Sequence, residues 1–442
     1  MTGRPIRDDA QAPVGVGLLG LGVVGSAVAQ AIQRRSCDSP HGSSPPLDLR
    51  GVLVRDTSRQ RSVEVPAGVI STDPASILEN DRISIIVEVM GGETPAFEYI
   101  SAALRAGKHV VTANKEVLCK RGDELISLAA ENNVRLYYEA SVGGGIPILG
   151  TLSDDLLANK ILSLRAIING TTNYILTRMA REGTSFEDAL SEAQALGYAE
   201  ADPTSDLDGF DALYKISILT RLAFHSSAPV DAIYREGIRN IHAKDFRYAQ
   251  ELGYTIKLLA VAQRADGGLL LRVHPALVPL DVPMAGVNGA LNVVEVEGDL
   301  VGPLWLQGRG AGAEPTASAV MGDLLRIARE LHGSGAPVRY DGPGLHLLPM
   351  DEHECMYYLR VTAVDRAGVL AKIASVLGEA GISIRSVLQM DTDDERGVAD
   401  LVIMTHSARE VNMQSAADRL RNLDVVAALD NLVRVETYSD VD

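Results

Sequence analysis

Cysteine is scarce: three residues in 442, Cys37, Cys119 and Cys355, far apart along the chain. They make no CxxC pair, which excludes a zinc ribbon and a disulfide scaffold and suits a reducing cytosol. No run of 18 apolar residues occurs, and the opening MTGRPIRDDAQAPV has no apolar core. Neither a membrane span nor a secretory signal is therefore expected. Positive charge is in deficit, with 41 Lys plus Arg against 58 Asp plus Glu and a net charge of −17. A general nucleic-acid binder needs a basic face, so no nucleic-acid partner is expected. The nine histidines include no HExxH and no pair at metal spacing, and no G-x-S-x-G is present. His109, at the start of a strand, reads as structural.

What is present is an apolar fraction of 46%, enough for large cores, and 41 glycines. At roughly 150 residues per domain the length predicts about three domains. Residues 1–13 read as a leader. Strand patterns at 14–19, 49–55, 83–89, 109–111 and 135–138 alternate with helical runs, as in a doubly wound parallel sheet. The middle, about 140–305, mixes helices at 187–195 and 209–225 with strand-like runs at 269–273 and 291–296. A helix follows from 317 to about 331, Cys37–Asp48 reads as a loop, and 333–354 is rich in Gly and Pro. The tail reads β-α-β-β-α-β, a ferredoxin-like order, with strands at 357–364, 383–389, 399–405 and 432–437. Its helices are read at 371–380 and 415–423. The expected fold class is α/β: a Rossmann-type domain (14–138 plus about 308–335), an α+β substrate and dimerisation domain (139–307), a linker (336–354) and a ferredoxin-like domain (355–442).

The run Gly20-Leu-Gly-Val-Val-Gly25 sits between an apolar strand and a helix, the context a dinucleotide fingerprint requires. Gly20 permits the tight turn, Gly22 lets backbone approach a pyrophosphate, and Gly25 lets helix and strand pack closely. The second strand ends in Arg55-Asp56. Arg55 favours a 2′-phosphate and hence NADP, while Asp56 leaves NAD open. Lys115 stands just past the end of a strand, the edge where open α/β sheets bind ligands. On spacing alone, a solvated lysine opening a helix is the better reading.

Asp211 and Lys215 are four residues apart and share one helix face. The helix around them is apolar on most of its circumference, so the pair is buried rather than a solvated ion pair. That points to function. Glu139-Ala-Ser-Val142-Gly-Gly144-Gly-Ile146-Pro is a glycine-rich turn with one carboxylate. It can hold a cation through carbonyl oxygens, and a purely structural turn explains it equally well.

Taken together, these runs resemble homoserine dehydrogenase. The points of match are Gly20–Gly25, Thr112–Lys115, Glu139–Pro147, Asn169–Asn173, Gly197–Glu200, Asp206–Lys215 and Gly310–Ala317. The tail, with Val364-Asp-Arg-Ala-Gly-Val-Leu370, resembles an ACT domain, and the whole resembles the monofunctional, ACT-bearing form of the family. The resemblance implies reduction of aspartate 4-semialdehyde to homoserine. It implies that Lys215 donates the proton, that Lys115 lies near nicotinamide and substrate, and that Glu200 and Asp211 hold the substrate. Leu21, Val23, Val24, Gly197 and Gly312 would contact the cofactor. Glu139 with the carbonyls of Val142, Gly144 and Ile146 would hold a monovalent cation, usually sodium. An amino-acid effector, threonine, is expected near Asp365–Gly368, and a homodimer or homotetramer with it. The alternatives are another nicotinamide-dependent amino-acid dehydrogenase and a sensor that only binds.

Overall fold

The computed structural model describes residues 12–38, 45–265, 267–332, 349–393 and 397–435. They belong to two compact units, Met1–Gly342 and Pro343–Asp442. Most of the expected leader and of the expected linker lies outside the described residues, as do 39–44 of the expected loop.

The first sheet of the larger unit is parallel throughout. Its strands are β1 (Val14–Leu19), β2 (Leu47–Leu53), β3 (Ile70–Ser71), β4 (Ile85–Glu88), β5 (His109–Thr112) and β6 (Leu136–Tyr137). They lie in the order β3-β2-β1-β4-β5-β6, the doubly wound dinucleotide-binding order. β1 is buried along its whole length because helices cover both faces. On one face Val28 and Ile32 of the Val23–Asp38 helix meet Val320, Leu324 and Ile327 of the Ala313–Leu331 helix. That second helix starts at Ala313, four residues before the position read from sequence.

The second sheet is mixed. Its strands are β7 (Ile161–Ile167), β8 (Tyr234–Arg235), β9 (Tyr254–Ala265), β10 (Gly268–Pro279), β11 (Leu291–Gly298) and β12 (Gly302–Arg309), in the order β12-β11-β7-β9-β10-β8. One face is covered by the helices Gly170–Glu182 and Phe210–Phe224. The other holds a smaller cluster with Leu259, Val261, Met284 and Val293. Strand β9 is buried on both sides from Ile256 to Ala262, so its sequence lacks the alternation that marks a half-exposed strand. The sequence reading missed it, together with β7 and β12.

The second unit is the ferredoxin-like module. β13 (Glu354–Val364), β14 (Ile384–Asp393), β15 (Val398–Thr405), the short β16 (Ala408–Arg409) and β17 (Val426–Val435) form an antiparallel sheet, with helices at Val369–Glu379 and Glu410–Arg421. The last strand begins at Val426 rather than 432, and residues 436–442 lie outside the described residues.

β9 carries one anomaly, Lys257, only 2% exposed. Its Nζ donates to Asn173 Oδ1 (3.1 Å), Val287 O (2.5 Å) and Asn288 Oδ1 (3.3 Å), all uncharged acceptors. Burial pulls its pKa down to about 8. Between that value and the ordinary lysine range near 10.4, the unfolded chain binds the proton more tightly, so stability rises with pH through that window. The shift is worth about 3 kcal/mol in total. Urea unfolding from pH 7.5 to 10 should show a gain in wild type that Lys257→Met lacks. Parallel curves for the two proteins would remove the assignment.

Candidate active site

The glycine fingerprint forms at the C-terminal end of β1, beside β4, where the strand order reverses. Gly20 has a φ of 100°, closed to most other residues. A Cβ on Gly25 would lie 2.1 Å from Gly20 O, so only glycine lets the helix start this close to the turn. A Cβ on Gly22 would meet nothing within 4 Å, so that flank of the turn is open. Val23, the first helical residue, is 75% exposed and stands beside this opening. A nicotinamide dinucleotide fits here: an open glycine edge, a helix N-terminus for the pyrophosphate, and a switch point in a parallel sheet. Beyond β2, Asp56 turns its carboxylate onto Ser58 N (2.8 Å) and Ser58 Oγ (2.7 Å). Arg55 beside it is exposed.

Two neighbouring strand ends are braced by a residue that sequence reasoning missed. Glu88, fully buried at the end of β4, accepts Met90 N (2.8 Å) and the Thr112 hydroxyl (2.6 Å). Thr112 Oγ1 in turn accepts Asn114 N, and Asn114 caps the Lys115–Glu131 helix by accepting Val117 N. Burial pushes the Glu88 carboxyl up, against these hydrogen bonds. Its sequence signal, one acid ending an apolar strand, is not specific.

Lys115 is the first residue of its helix, the end where a cation meets the dipole unfavourably. Its partner offsets that: Lys115 Nζ pairs with Asp211 Oδ1. The other carboxylate oxygen of Asp211 accepts Lys215 Nζ (2.8 Å) and Asn169 Nδ2 (2.8 Å). Lys215 Nζ also donates to Ile168 O (2.7 Å), and Asn169 Nδ2 also reaches Asp206 Oδ1 (2.7 Å). One carboxylate, 2% exposed, is thus shared as counter-ion by two ammonium groups. The Phe210–Phe224 helix is buried around most of its circumference, as its composition predicts.

The electrostatics follow from this packing. Burial alone raises the Asp211 carboxyl, but Lys215 and Lys115 outweigh it and hold it well below the usual range. Asp211 raises Lys115. Burial lowers Lys215, with Asp211 opposing and Lys115 assisting. Burial, then the nearby Asp211, raises Asp206. Lys115 keeps 41% of its side chain exposed and Lys215 10%, so the pair looks out from a buried floor. Asn169 and Asp206 are parts of this site to which the sequence reading gave no role, although both stand in the runs that carry the resemblance. Glu200 is exposed; its charge adds to the rise at Lys115. Gly197 (φ 78°) precedes it, and Gly312 (φ 116°) opens the Ala313–Leu331 helix.

In the turn after β6, Gly143 and Gly144 both have positive φ, 73° and 55°. The amides of Val142, Gly145 and Ile146 go to the carbonyls of Glu139, Arg309 and Gly143, which leaves the Val142 and Gly144 carbonyls out of that ladder. The Ile146 carbonyl accepts Ile148 N (2.8 Å). The Glu139 carboxylate accepts Leu149 N (2.8 Å) and Gly150 N (2.7 Å), and each oxygen retains a further lone pair. Carbonyls and one carboxylate form a hard-oxygen set that fits a monovalent cation. Among the described residues, no cluster of three or more His, Cys, Asp or Glu side chains could hold a metal.

Three stretches match known families. Residues 20–139 match "Homoserine dehydrogenase, NAD binding domain", 147–325 match "Homoserine dehydrogenase", and 357–425 match "ACT domain". The chain is 41% identical to homoserine dehydrogenase of Corynebacterium glutamicum, with 96% of each chain covered. The chain belongs to the homoserine dehydrogenase family.

It is accordingly an oxidoreductase acting on CH–OH, with a nicotinamide-binding Rossmann-type domain. The crystal structure of a homoserine dehydrogenase from Thiobacillus denitrificans has a TM-score of 0.68 at 40% identity, covering 96% of this chain and 99% of that one. A hyperthermophilic archaeal homoserine dehydrogenase mutant in complex with NADPH has a TM-score of 0.61 at 30% identity, covering 72% of this chain and 98% of that one. This family member also carries an ACT domain, a module that typically binds amino-acid effectors. In that domain Asp365 and Gly368 line a cavity of about 410 Å³, together with Val369, Val387, Gln389 and Leu401. Gly368 (φ 90°) caps the Val369–Glu379 helix. Among the described residues, no helix is long and apolar enough to cross a membrane.

Proposed function

We propose that the chain reduces L-aspartate 4-semialdehyde to L-homoserine with NADPH, under feedback by threonine through the ACT domain. The observation that carries the catalytic part is the buried Asp211 carboxylate shared between Lys115 and Lys215. When bound, the nicotinamide supplies the hydride. The carbonyl oxygen that becomes an alkoxide needs a positive charge and a proton, and Lys215 Nζ offers both. Asp211 and Ile168 O fix the direction in which that ammonium points. Lys115, the more exposed of the two, stands just past β5, at the edge where open α/β sheets bind ligands. Glu200 and Asp211, with Asp206, supply the negative charge that an α-ammonium group requires. Glu139, Val142, Gly144 and Ile146 would hold sodium and so stiffen the turn between the two halves of the unit.

Cofactor choice rests on Arg55, exposed beyond β2 while Asp56 is engaged with Ser58. A guanidinium there suits a 2′-phosphate. Arg55→Ala should raise KM for NADPH about tenfold and leave KM for NADH within twofold, since a charge-assisted pair is worth about 1.5–3 kcal/mol and an exposed one less. Equal changes for both cofactors would return the choice to NAD.

For the effector, the N-terminal turn of the Val369–Glu379 helix suits an amino-acid carboxylate, and the cavity walls suit a short side chain. A homo-oligomer is proposed on the sheet face turned away from the ACT helices. There Val433 lies opposite Tyr358 and Leu388 opposite Val402, and Leu388 and Val433 are exposed. The deciding assay follows loss of reduced-nicotinamide absorbance with aspartate semialdehyde, NADPH against NADH, with and without threonine. No turnover of the semialdehyde, with turnover of another amino acid, would select a different dehydrogenase. Cofactor binding without turnover would select a sensor.

A further inference from the structure

The two lysines come from different halves of the larger unit: Lys115 from a helix of the nucleotide-binding sheet, Lys215 from a helix of the substrate half. The Lys115–Asp211 pair joins those helices at their N-terminal ends. Ten residues past Asp211, Arg221 joins them again. Its Nε donates to Asp123 Oδ1 (2.6 Å) and to Ser227 Oγ (3.2 Å), and its Nη1 donates to Leu118 O (3.0 Å). Ser227 Oγ closes the network by donating to Asp123 Oδ1 (2.8 Å). The Arg221 side chain is 13% exposed, less than the other ion-paired arginines among the described residues, while its partner Asp123 is 62% exposed.

The seat for this guanidinium is Gly122. A Cβ there would lie 2.6 Å from Arg221 Nη1 and 3.0 Å from Cζ. Gly122 lies inside a helix, where glycine is a poor choice on propensity alone and Gly122 has ordinary helical backbone. The room it leaves is filled by one group, the Arg221 fork. That fork grips a backbone carbonyl only three residues from Lys115.

We propose that Arg221, seated on Gly122, is a positioning residue for the reaction. It sets the separation of the two helices so that Lys115 reaches the Asp211 carboxylate already held by Lys215. The proposal rests on the assignment of those lysines under Proposed function. Its chemistry is that of geometry: a displacement of about 1 Å at reacting groups costs on the order of 10²-fold in rate. A lysine at 221 has no fork with which to hold Asp123 and Leu118 O together.

The test uses the full chain with Arg221→Met, Arg221→Lys and Gly122→Ala, and Lys215→Ala as a control. Gly122→Ala is the informative variant. It keeps every charge and improves helix propensity, yet it displaces the fork. Arg221→Met and Gly122→Ala are expected to lower kcat about 10- to 100-fold, with the NADPH dissociation constant within about twofold of wild type. The basic limb of kcat/KM should move to higher pH in both, because the like charge of Lys115, which helps lower Lys215, withdraws while Asp211 stays beside Lys215 on the same helix. Arg221→Lys should recover part of kcat. The proposal is overturned if both variants keep kcat within twofold. It is also overturned if the losses vanish on cooling by about 15 °C with an unmoved pH limb, because that is plain destabilisation. Undiminished turnover in Lys215→Ala would instead sink the lysine assignment itself, and this proposal with it.

Discussion

Lys215→Ala should bind NADPH within about twofold of wild type and lose on the order of 10³-fold or more in kcat for aspartate semialdehyde reduction. A positioned proton donor contributes about 10²–10⁴-fold, and a preorganised charge at a developing oxyanion adds to it. Lys215 supplies both from one atom. The Lys215 side chain is only 10% exposed, so water cannot replace its ammonium freely. The substitution leaves Ile168 O without this donor and leaves Asp211 with Lys115 and Asn169. The fold should therefore survive, which thermal unfolding would verify. Cofactor binding is spared because the glycine turn at 20–25 makes none of these contacts. Lys215→Arg keeps the charge but not the compact ammonium, so it should recover little. Near wild-type turnover in a folded Lys215→Ala protein would end the proton-donor assignment.

That expectation could be written largely from sequence, for an identifiable reason. Helix patterning is local, and a helix apolar all round that also carries Asp211 and Lys215 is a contradiction visible in fifteen residues. The glycine fingerprint is local too, and Gly25 occupies the contact its spacing requires. What sequence leaves open is what the chain brings together from afar. Lys115 is 96 residues from Asp211, and on spacing alone it looks like a solvated lysine opening a helix. Asn169 reaches Asp211 across 42 residues. Glu88 and Arg221 work through partners that no spacing rule connects. The same limit governs the fold. β1 and β4 announce themselves as short apolar runs between turn signals. β9 is buried on both faces and contains a lysine, so neither alternation nor uniform apolarity marks it.

Asp211→Asn should separate charge from shape at this site. The amide has the size of the carboxylate and can still accept from Lys215, but it neutralises neither ammonium. In wild type, burial lowers Lys215 and Asp211 opposes it. Without that opposition, burial and the like charge of Lys115 act together, and the Lys215 pKa must fall further. A neutral Lys215 has no proton to give. The basic limb of the kcat/KM profile for reduction should therefore move to lower pH, and kcat at pH 8 should fall on the order of 10²–10⁴-fold, the range of a general acid. Part of the lost rate should return on acidification, which distinguishes this variant from Lys215→Ala. Stability has its own sign. Asp211 is held below the ordinary carboxylate range, so its contribution is present above about pH 4 and is lost as pH falls through the depressed value. Removing one partner of a buried pair costs about 3–5 kcal/mol, so the variant should melt earlier at pH 7 and approach wild type in acid. An unmoved basic limb in a protein that has lost kcat would show that Asp211 acts by contact with substrate alone, and not by holding the proton on Lys215.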